Sequence, residues 1–307
     1  MKIGAQYQGD ERGPKIFARA AEDAGFDSVF CGDHVGHYVD GIATLGCFAG
    51  ATERITIGVN LLVVPYRPAA VVAKALATIA HVAPGRVIAG FGVGGEFPGE
   101  YQAVGADLRT RGAFTDEALD VVTRLWTGEP VSYAGRWHRF EAFQLEPPPS
   151  PAPEIWIGGR SEAAMRRAVR FGAGYVPYLV SPEQLARRRA QLVNLASSMR
   201  AASETNGALG SFTLACLVTF IPAPSVDDAV EVGLRSLRLS GLTPESVRSQ
   251  FLLGDDESVL SRLQAYVDAG ADHLIVGCIP GDGRDVDEFF GACRRLLPSI
   301  RELRPGH

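Results

Sequence analysis

Four glycines crowd the run GFGVGG at residues 90–95, and their spacing matches the fingerprint with which Rossmann folds bind a dinucleotide pyrophosphate. That fingerprint needs a helix directly after the glycines and an acidic residue about twenty positions further on. Here Pro98 and Gly99 follow, and we expect them to block a helix for several residues. A tight turn would explain one or two of the glycines. The whole run favours a strand end whose backbone, at Gly92 and Gly94, lies against a flat or anionic ligand.

A second run with binding chemistry is IWIGGRS, which ends at Ser161. Gly158 and Gly159 finish a short apolar stretch, and the serine can cap a helix that begins one residue later. The N–H groups at a helix N-terminus bind anions, and Arg160 adds a positive charge. The run therefore predicts a phosphate cradle, with an ordinary strand–turn–helix junction as the alternative.

Eight short apolar runs alternate with helical patterns along the chain. Most of these runs lack polar alternation, which is typical of parallel strands that are covered on both faces. The pattern predicts a (β/α)8 TIM barrel, with an open doubly wound sheet as the alternative, and it places ligands at the carboxyl ends of the strands. The predicted strands span residues 2–6, 28–32, 55–63, 86–92, 154–158, 173–177, 212–220 and 273–278.

Two segments exceed the simple repeat. Residues 129–153, after the fourth strand, predict a hairpin that turns at Ala134–Gly135 and leads into a proline-rich connector. Residues 221–256, after the seventh strand, contain an extra helical excursion. Neither segment has enough strands for a second core. We therefore expect a single TIM-barrel domain over residues 1–307 with two insertions.

Charge and cysteine content exclude several classes of protein. A net charge of −5 argues against nucleic acid or an anionic membrane as the main partner. The N-terminus lacks the apolar core of a signal peptide, and no apolar run is long enough to span a membrane, so we expect a cytoplasmic protein. The five scattered cysteines form no C-x-x-C pair and do not alternate with histidines, which predicts free thiols and no metal site.

Four segments, in this order, carry a further signal: CGDHV, YRPAAVVAKALATIAHVAPGRVIAGFGVGGE, RGAFTDEALDVVTRLWTGEPVSYAGRWHRF and PEIWIGGRSEAAMRRAVRFGAGYVP. Through them most of the chain resembles the bacterial luciferase-like monooxygenase superfamily, whose members are TIM barrels that use FMN or the deazaflavin coenzyme F420. The pair Asp33–His34 is more similar to the deazaflavin branch. Luciferase-type FMN members more often carry a glutamate and histidines at that place.

The resemblance implies a coenzyme ring over the barrel mouth, between the ends of strands two, three and four. It implies ring contacts from Asp33 and Asn60, a bulge with a non-proline cis peptide within Gly58–Leu62, and a phosphate on Gly158–Ser161. A deazaflavin transfers hydride, so the protein must supply a proton donor or acceptor nearby. His34 suits that role because imidazole titrates near neutral pH, and a structural histidine at a strand end is the alternative.

Other site residues follow from the resemblance. Some deazaflavin enzymes place a general-acid glutamate right after the glycines, and Glu96 lies one residue beyond that position, which makes it a further catalytic candidate. Tyr7, His37 and Tyr178 are expected to line the substrate pocket. The chain departs from the family at Arg67–Ala69, because family members often read Arg-His-Pro there.

Three functions therefore compete. The leading hypothesis is an F420-dependent oxidoreductase acting on a small organic substrate, and Asp33–His34 favours it. The second is an FMN-dependent two-component monooxygenase, which would need a partner flavin reductase. The third is a flavin-binding protein without turnover. We expect a homodimer, since many superfamily members pair through barrel helices, and no nucleic-acid or membrane partner.

Overall fold

The strands of the computed structural model, which describes residues 1–9, 12–201, 212–236, 242–278 and 286–306, form a closed parallel barrel. Strands β1–β4, β7, β8, β9 and β11 pair side by side in chain order, and β11 pairs with β1 to close the ring. The strands are β1 (Lys2–Tyr7), β2 (Ser28–Cys31), β3 (Thr56–Val63), β4 (Val87–Gly92), β5 (Val131–Ala134), β6 (Arg139–Phe143), β7 (Glu154–Gly158), β8 (Gly174–Val176), β9 (Thr213–Pro222), β10 (Leu252–Gly254) and β11 (His273–Cys278).

Helices surround this barrel, as in a TIM barrel. They are α1 (Pro14–Ala24), α2 (Gly41–Ala51), α3 (Ala69–Val82), α4 (Pro98–Ala103), α5 (Arg111–Leu125), α6 (Glu162–Phe171), α7 (Pro182–Ala201), α8 (Val226–Ser236), α9 (Pro244–Gln250), α10 (Asp256–Asp268) and α11 (Val286–Glu302). The predicted TIM barrel is confirmed, and the closed ring rules out both the open sheet and the Rossmann arrangement. Each of the eight predicted strands corresponds to a barrel strand.

Apolar side chains fill both layers of the structure. Inside the ring, the rings of Phe30 and Trp156 stack with centroids 5.6 Å apart, within a cluster that also contains Ile88 and Ile275. Between the ring and the helices lies a larger core to which every barrel strand contributes. Burial on both faces explains why the strands read as nearly continuous apolar runs.

The residues after β4 correct one expectation. Helix α4 begins at Pro98 and includes Gly99, although the sequence suggested that this pair would block a helix. Proline is well tolerated in the first helical turn, because the N–H that it lacks would have no partner there and its fixed φ angle suits the helix. Helix α4 matters because it brings a glutamate to the barrel mouth.

The segment that follows helix α5 forms the predicted hairpin. Strands β5 and β6 pair in antiparallel fashion. Their connection is organised by Glu117 of helix α5, whose carboxylate accepts hydrogen bonds from the backbone N–H groups of Arg136, Trp137 and His138. The segment after β9 contains helices α8 and α9 and strand β10, which pairs with β9. Residues 237–241 of that predicted insertion lie outside the described residues.

Candidate active site

His34 lies at the carboxyl end of β2, in the connection to helix α2. Its side chain is 19% exposed, and its Nδ1 atom lies 3.0 Å from Oε2 of Glu100. The rings of Tyr38 and Phe97 pack on it, with centroids 5.2 Å away in each case. The imidazole is therefore held in place at the barrel mouth while part of it stays open to solvent.

Glu100, on helix α4, is the centre of a network of hydrogen bonds. Its buried carboxylate receives bonds from Nδ1 of His34 and Nδ1 of His37, each 3.0 Å away. The backbone N–H of Gly36 and the hydroxyl of Tyr66 also donate to it, both at 2.9 Å. One carboxylate thus joins the connections that follow β2, β3 and β4.

This network keeps Glu100 ionised. Burial alone raises the pKa of the carboxyl group, but the hydrogen bonds from its donors outweigh that effect and bring the pKa to about 2. Contacts with Glu100 also contribute to a raised pKa of Tyr66, although burial is the larger cause. At neutral pH the network therefore contains a carboxylate anion and a neutral phenol that donates to it.

Asp33 is placed differently from its neighbour. Its side chain is fully buried, and Oδ1 and Oδ2 accept hydrogen bonds from the backbone N–H groups of Gly41 and Val63, both at 2.9 Å. Arg67 binds the same two oxygens. Because the carboxylate is enclosed by these donors, the geometry favours a positioning role over the ring contact that the resemblance implied.

Glu96, Tyr178 and Arg160 come together at the mouth from three different connections. The hydroxyl of Tyr178 donates a short hydrogen bond to Oε1 of Glu96. The guanidinium of Arg160 lies over the ring of Tyr178, 5.0 Å from its centroid. Burial, followed by the contact with Glu96, raises the pKa of Tyr178. The structure thus brings together three of the predicted site residues.

Asn60 lies in the predicted irregular segment of β3. The Asn60–Leu61 peptide is cis, and the register of β3 against β4 shifts between Val59 and Leu62, which confirms the predicted bulge. The Nδ2 atom of Asn60 is buried without a hydrogen-bond partner, and so is Oε1 of Gln6 on β1. A buried polar group without a partner needs an explanation, and a bound ligand is one.

The predicted glycines make room for a side chain of the protein. A Cβ atom on Gly158 would lie 1.9 Å from Cδ1 of Leu61, and one on Gly92 would lie 3.0 Å from the same atom. A Cβ atom on Gly90 would lie 2.2 Å from the carbonyl oxygen of Val59 and 3.1 Å from Cδ2 of Leu61. Gly94 has a φ of 58°, a conformation that few other residues adopt. The close approach expected of a ligand is therefore made, at Gly92 and Gly158, by the leucine of the cis peptide.

The turn before helix α6 has the predicted shape. Ser161 caps the helix, and its hydroxyl accepts a hydrogen bond from the backbone N–H of Ala164. The carbonyl of Gly159 accepts a bond from the hydroxyl of Tyr175 at 2.6 Å, and that of Arg160 accepts one from Nη1 of Arg188 at 2.6 Å. Both carbonyls therefore accept hydrogen bonds from other side chains of the protein. Arg160 is exposed and lies beside the N-terminus of helix α6.

The structure places His37 and Tyr7, both predicted to line the substrate pocket, in different surroundings. His37 joins the site, with its ring stacked on that of Phe97 at a centroid distance of 3.9 Å. Tyr7 corrects the prediction, because it is 2% exposed and packs against Phe17 of α1 and Phe48 of α2. Side chains alternate along a strand, so Tyr7 faces the helices.

Sequence reasoning missed several residues of the site. Glu100 is the most important of them, and its only signal was a carboxylate in the segment that follows the glycines.

Among the described residues, no group of three or more histidine, cysteine or acidic side chains could hold a metal ion. In the same ranges, no helix has the length and apolar character of a membrane span.

The chain is similar to several known proteins over nearly its whole length. The F420-dependent glucose-6-phosphate dehydrogenase of Nakamurella multipartita is 26% identical over an alignment 336 positions long, which covers 99% of this chain and 97% of that protein. The solved structure of an F420-dependent secondary alcohol dehydrogenase, in complex with an F420-acetone adduct, has a TM-score of 0.84 at 21% identity and covers 98% of this chain and 99% of that one.

An FMN protein is similar in fold. The oxygenating constituent of 3,6-diketocamphane monooxygenase from Pseudomonas putida, solved in complex with FMN, has a TM-score of 0.78 at 17% identity, covering 99% of this chain and 98% of that one. The family model described as luciferase-like monooxygenase matches residues 14–273. With the barrel, the bulge of β3 and this match in place, the chain belongs to the luciferase-like monooxygenase family.

Proposed function

We propose that this protein is an F420-dependent oxidoreductase that transfers hydride between the deazaflavin coenzyme and a small alcohol or carbonyl substrate. The observation that carries the proposal is the imidazole of His34, which lies at the barrel mouth with Nδ1 on a buried carboxylate. The relatives named F420-dependent dehydrogenases support the choice of coenzyme. The FMN monooxygenase hypothesis is supported by the name of the family and by fold similarity to an FMN protein at 17% identity.

The residues of the mouth fit such a coenzyme. Asn60 Nδ2 and Gln6 Oε1 are both buried without a partner, and they are a donor and an acceptor suited to the polar edge of the ring. The turn of Gly159, Arg160 and Ser161 offers a guanidinium and the free N–H groups of a helix N-terminus to a phosphate. The acidic Glu162 in that first turn is paired with Arg166 at 2.9 Å, which reduces its repulsion of an anion.

The coenzyme, when bound, supplies two-electron hydride chemistry. Nε2 of His34 takes the hydroxyl proton of the alcohol as the carbon–hydrogen bond breaks, and it returns that proton in the reverse direction. Glu96, hydrogen-bonded to Tyr178, is the second group at the mouth that is able to exchange a proton. We propose Glu96 as a further catalytic residue that exchanges a proton at the mouth.

The surroundings of His34 favour an uncharged substrate. Phe97 and His37 form a stacked aromatic wall, and Tyr38 is 51% exposed beside them. The carboxylate of Glu100 lies directly behind this wall and repels anions. We therefore infer that uncharged secondary alcohols or ketones react better than a sugar phosphate, although several relatives bear the name glucose-6-phosphate dehydrogenase.

The experiment is a pair of equilibrium titrations with F420 and FMN, followed by turnover assays. We expect tighter binding of F420, and reduction of F420 by uncharged secondary alcohols at a higher kcat/KM than by glucose 6-phosphate. Tight binding of FMN with none of F420 would contradict the coenzyme assignment. A preference for glucose 6-phosphate would contradict the substrate class and leave the coenzyme assignment intact.

We also propose a cytoplasmic homodimer in which each chain is one domain. The exposed residues of helix α2 carry no charge, and Gly46 and Gly50 are among them. A Cβ atom on either glycine would meet no other atom within 4 Å. Glycine costs a helix about 1 kcal/mol relative to alanine, so close approach of a second chain would account for both. Sedimentation equilibrium should give the dimer mass, and Gly46→Arg should give the monomer mass.

A further inference from the structure

The hydrogen bonds of Glu100 determine which nitrogen of His34 carries the hydrogen atom. Oε2 of Glu100 lies 3.0 Å from Nδ1 of His34, and Oε1 accepts from the backbone N–H of Gly36 at 2.9 Å. An ionised carboxylate accepts hydrogen bonds and cannot donate. Nδ1 of His34 must therefore be the donor, and in the neutral imidazole the lone pair is on Nε2.

We propose that Glu100 is a positioning residue that fixes His34 in the Nδ1–H tautomer and so keeps Nε2 available as the base. This inference rests on the proposed role of His34. The carboxylate does not touch the substrate in this scheme, because it acts through the imidazole. It also holds the loop that carries His34, since it binds Gly36 and His37 of the same connection.

The carboxylate is itself held firmly. Its residue is 4% exposed, and helix α4 is anchored by Tyr101, whose hydroxyl donates a short hydrogen bond to the carbonyl of Val93. The hydroxyl of Tyr66 reaches Oε2 from the connection after β3. The low pKa of Glu100 means that the carboxylate is ionised at neutral pH. The tautomer is thus fixed by geometry and by charge.

Glu100→Gln tests this role without a change of shape. The N–H of Gly36 can only donate, so the amide oxygen of the new side chain must take the position of Oε1. The amide NH2 then takes the position of Oε2 and donates toward His34. Nδ1 of His34 must accept that bond, and its hydrogen moves to Nε2. The hydroxyl of Tyr66 avoids the NH2 group because it can rotate and accept instead.

The first readout is the 15N NMR spectrum of the histidine rings in coenzyme-free protein, at a pH where the imidazoles are neutral. In the natural protein, we expect the Nε2 signal of His34 to be that of an unprotonated nitrogen. In Glu100→Gln, we expect it to be that of a protonated one. The second readout is turnover, which should fall about a hundredfold, at the low end of general-base contributions, while the Kd for F420 stays unchanged.

The matched control is Glu117→Gln. Oε1 of Glu117 likewise lies 3.0 Å from Nδ1 of a histidine, His138, but this pair joins helix α5 to the hairpin and is not part of the candidate site. The same chemical change there should leave turnover unchanged. A fall of equal size in this control would show that the loss in Glu100→Gln is a general effect of the replacement, and it would overturn the proposal.

The two readouts separate the possible failures. A protonated Nε2 on His34 in the natural protein would overturn the proposal at once, even if Glu100→Gln failed to fold. An unchanged tautomer in a folded Glu100→Gln would overturn it as well. A changed tautomer with unchanged turnover would uphold the positioning role of Glu100 and would overturn the role of His34 as the base under the proposed function.

Discussion

Arg67 binds the buried carboxylate of Asp33 with both of its terminal nitrogens, Nη1 to Oδ2 at 2.7 Å and Nη2 to Oδ1 at 2.8 Å. The same Nη2 reaches Oδ2 of Asp40, the N-cap of helix α2, at 2.6 Å. The arginine therefore ties the end of β3 to both ends of the connection that carries His34. Bidentate pairing of this kind adds geometric precision to its energy.

Arg67→Met should leave Asp33 charged, buried and without its main partner. We expect the free energy of unfolding to fall by about 3 kcal/mol, as is typical when one partner of a buried ion pair is removed. Urea denaturation measures this change. Arg109→Met is the control, because Arg109 is 91% exposed and pairs with the half-exposed Asp107, so its loss should cost less than about 1 kcal/mol. Equal losses in both variants would contradict the prediction.

Gly158→Ala should clash with Leu61. The new Cβ would lie 1.9 Å from Cδ1 of the leucine, and overpacking of this kind typically costs about 1–3 kcal/mol. Adding Leu61→Ala should relieve the clash, so a double-mutant cycle should give a coupling energy of at least about 1 kcal/mol. Gly291→Ala in helix α11 meets no atom within 4 Å and serves as the control without a stability loss. Additive effects of the Gly158 and Leu61 replacements would count against the contact.

Tyr175→Phe should loosen the turn that we propose as the phosphate site, because it removes the hydrogen bond to the carbonyl of Gly159. Loss of a hydrogen bond worth about 1 kcal/mol would raise the Kd for F420 by roughly fivefold. Tyr266→Phe removes an equally buried hydroxyl, whose partners are the carbonyls of Val180 and Gln250 and not a carbonyl of the turn. Both variants should lose similar stability, and only Tyr175→Phe should bind F420 more weakly in equilibrium titration.

His34→Ala should retain coenzyme binding and lose turnover. General acid–base assistance contributes about 10²- to 10⁴-fold, so kcat should fall by at least about a hundredfold. His138→Ala is the control, since that histidine also hydrogen-bonds a glutamate but lies at the hairpin. Steady-state kinetics with a secondary alcohol provides the measurement. Near-normal turnover in His34→Ala would make His34 a structural residue and Glu96 the next candidate.

Glu100 should also contribute to the pH dependence of stability. Its pKa is lowered from 4.5 to about 2 in the folded protein, so the unfolded chain binds a proton at higher pH than the folded one. The stabilisation is complete above about pH 4.5 and is lost as the pH falls toward 2. Urea denaturation should show that Glu100→Gln removes part of the stability loss between pH 5 and 3. An identical pH dependence in both proteins would contradict the shift.

The barrel could be predicted because its signals are local. Strands buried on both faces read as apolar runs, and the glycine after helix α1 and the serine before helix α6 mark helix ends by their own chemistry. The bulge of β3 came from the resemblance to the family. Glu100 could not be predicted in the same way, because it meets His34 across 66 residues and is carried by a helix that begins with proline.

The glycine-rich run shows the limit of such reasoning most clearly. Its spacing indicates that something approaches the backbone closely, and this is correct. The spacing does not tell whether the group that approaches is a ligand or a side chain. In the structure, Leu61 of the neighbouring strand β3 approaches Gly90 and Gly92 of the run. The role of Asp33 could not be predicted for the same reason. A carboxylate at a strand end is equally typical of a ligand contact and of a residue that holds neighbouring segments of the protein together.

The network around Glu100 draws all its members from the first third of the chain, whereas the turn at Gly159 and its supports, Tyr175 and Arg188, come from the second half. The parts that would deprotonate the substrate, and Gln6 and Asn60 beside the proposed ring site, are therefore encoded separately from the turn that would hold the phosphate of the coenzyme. A barrel divided in this way should allow its N-terminal half to be exchanged for that of a relative. Replacing the N-terminal half with that of another family member should change which alcohol is oxidised and the proposed contacts to the coenzyme ring, while the proposed phosphate site is kept.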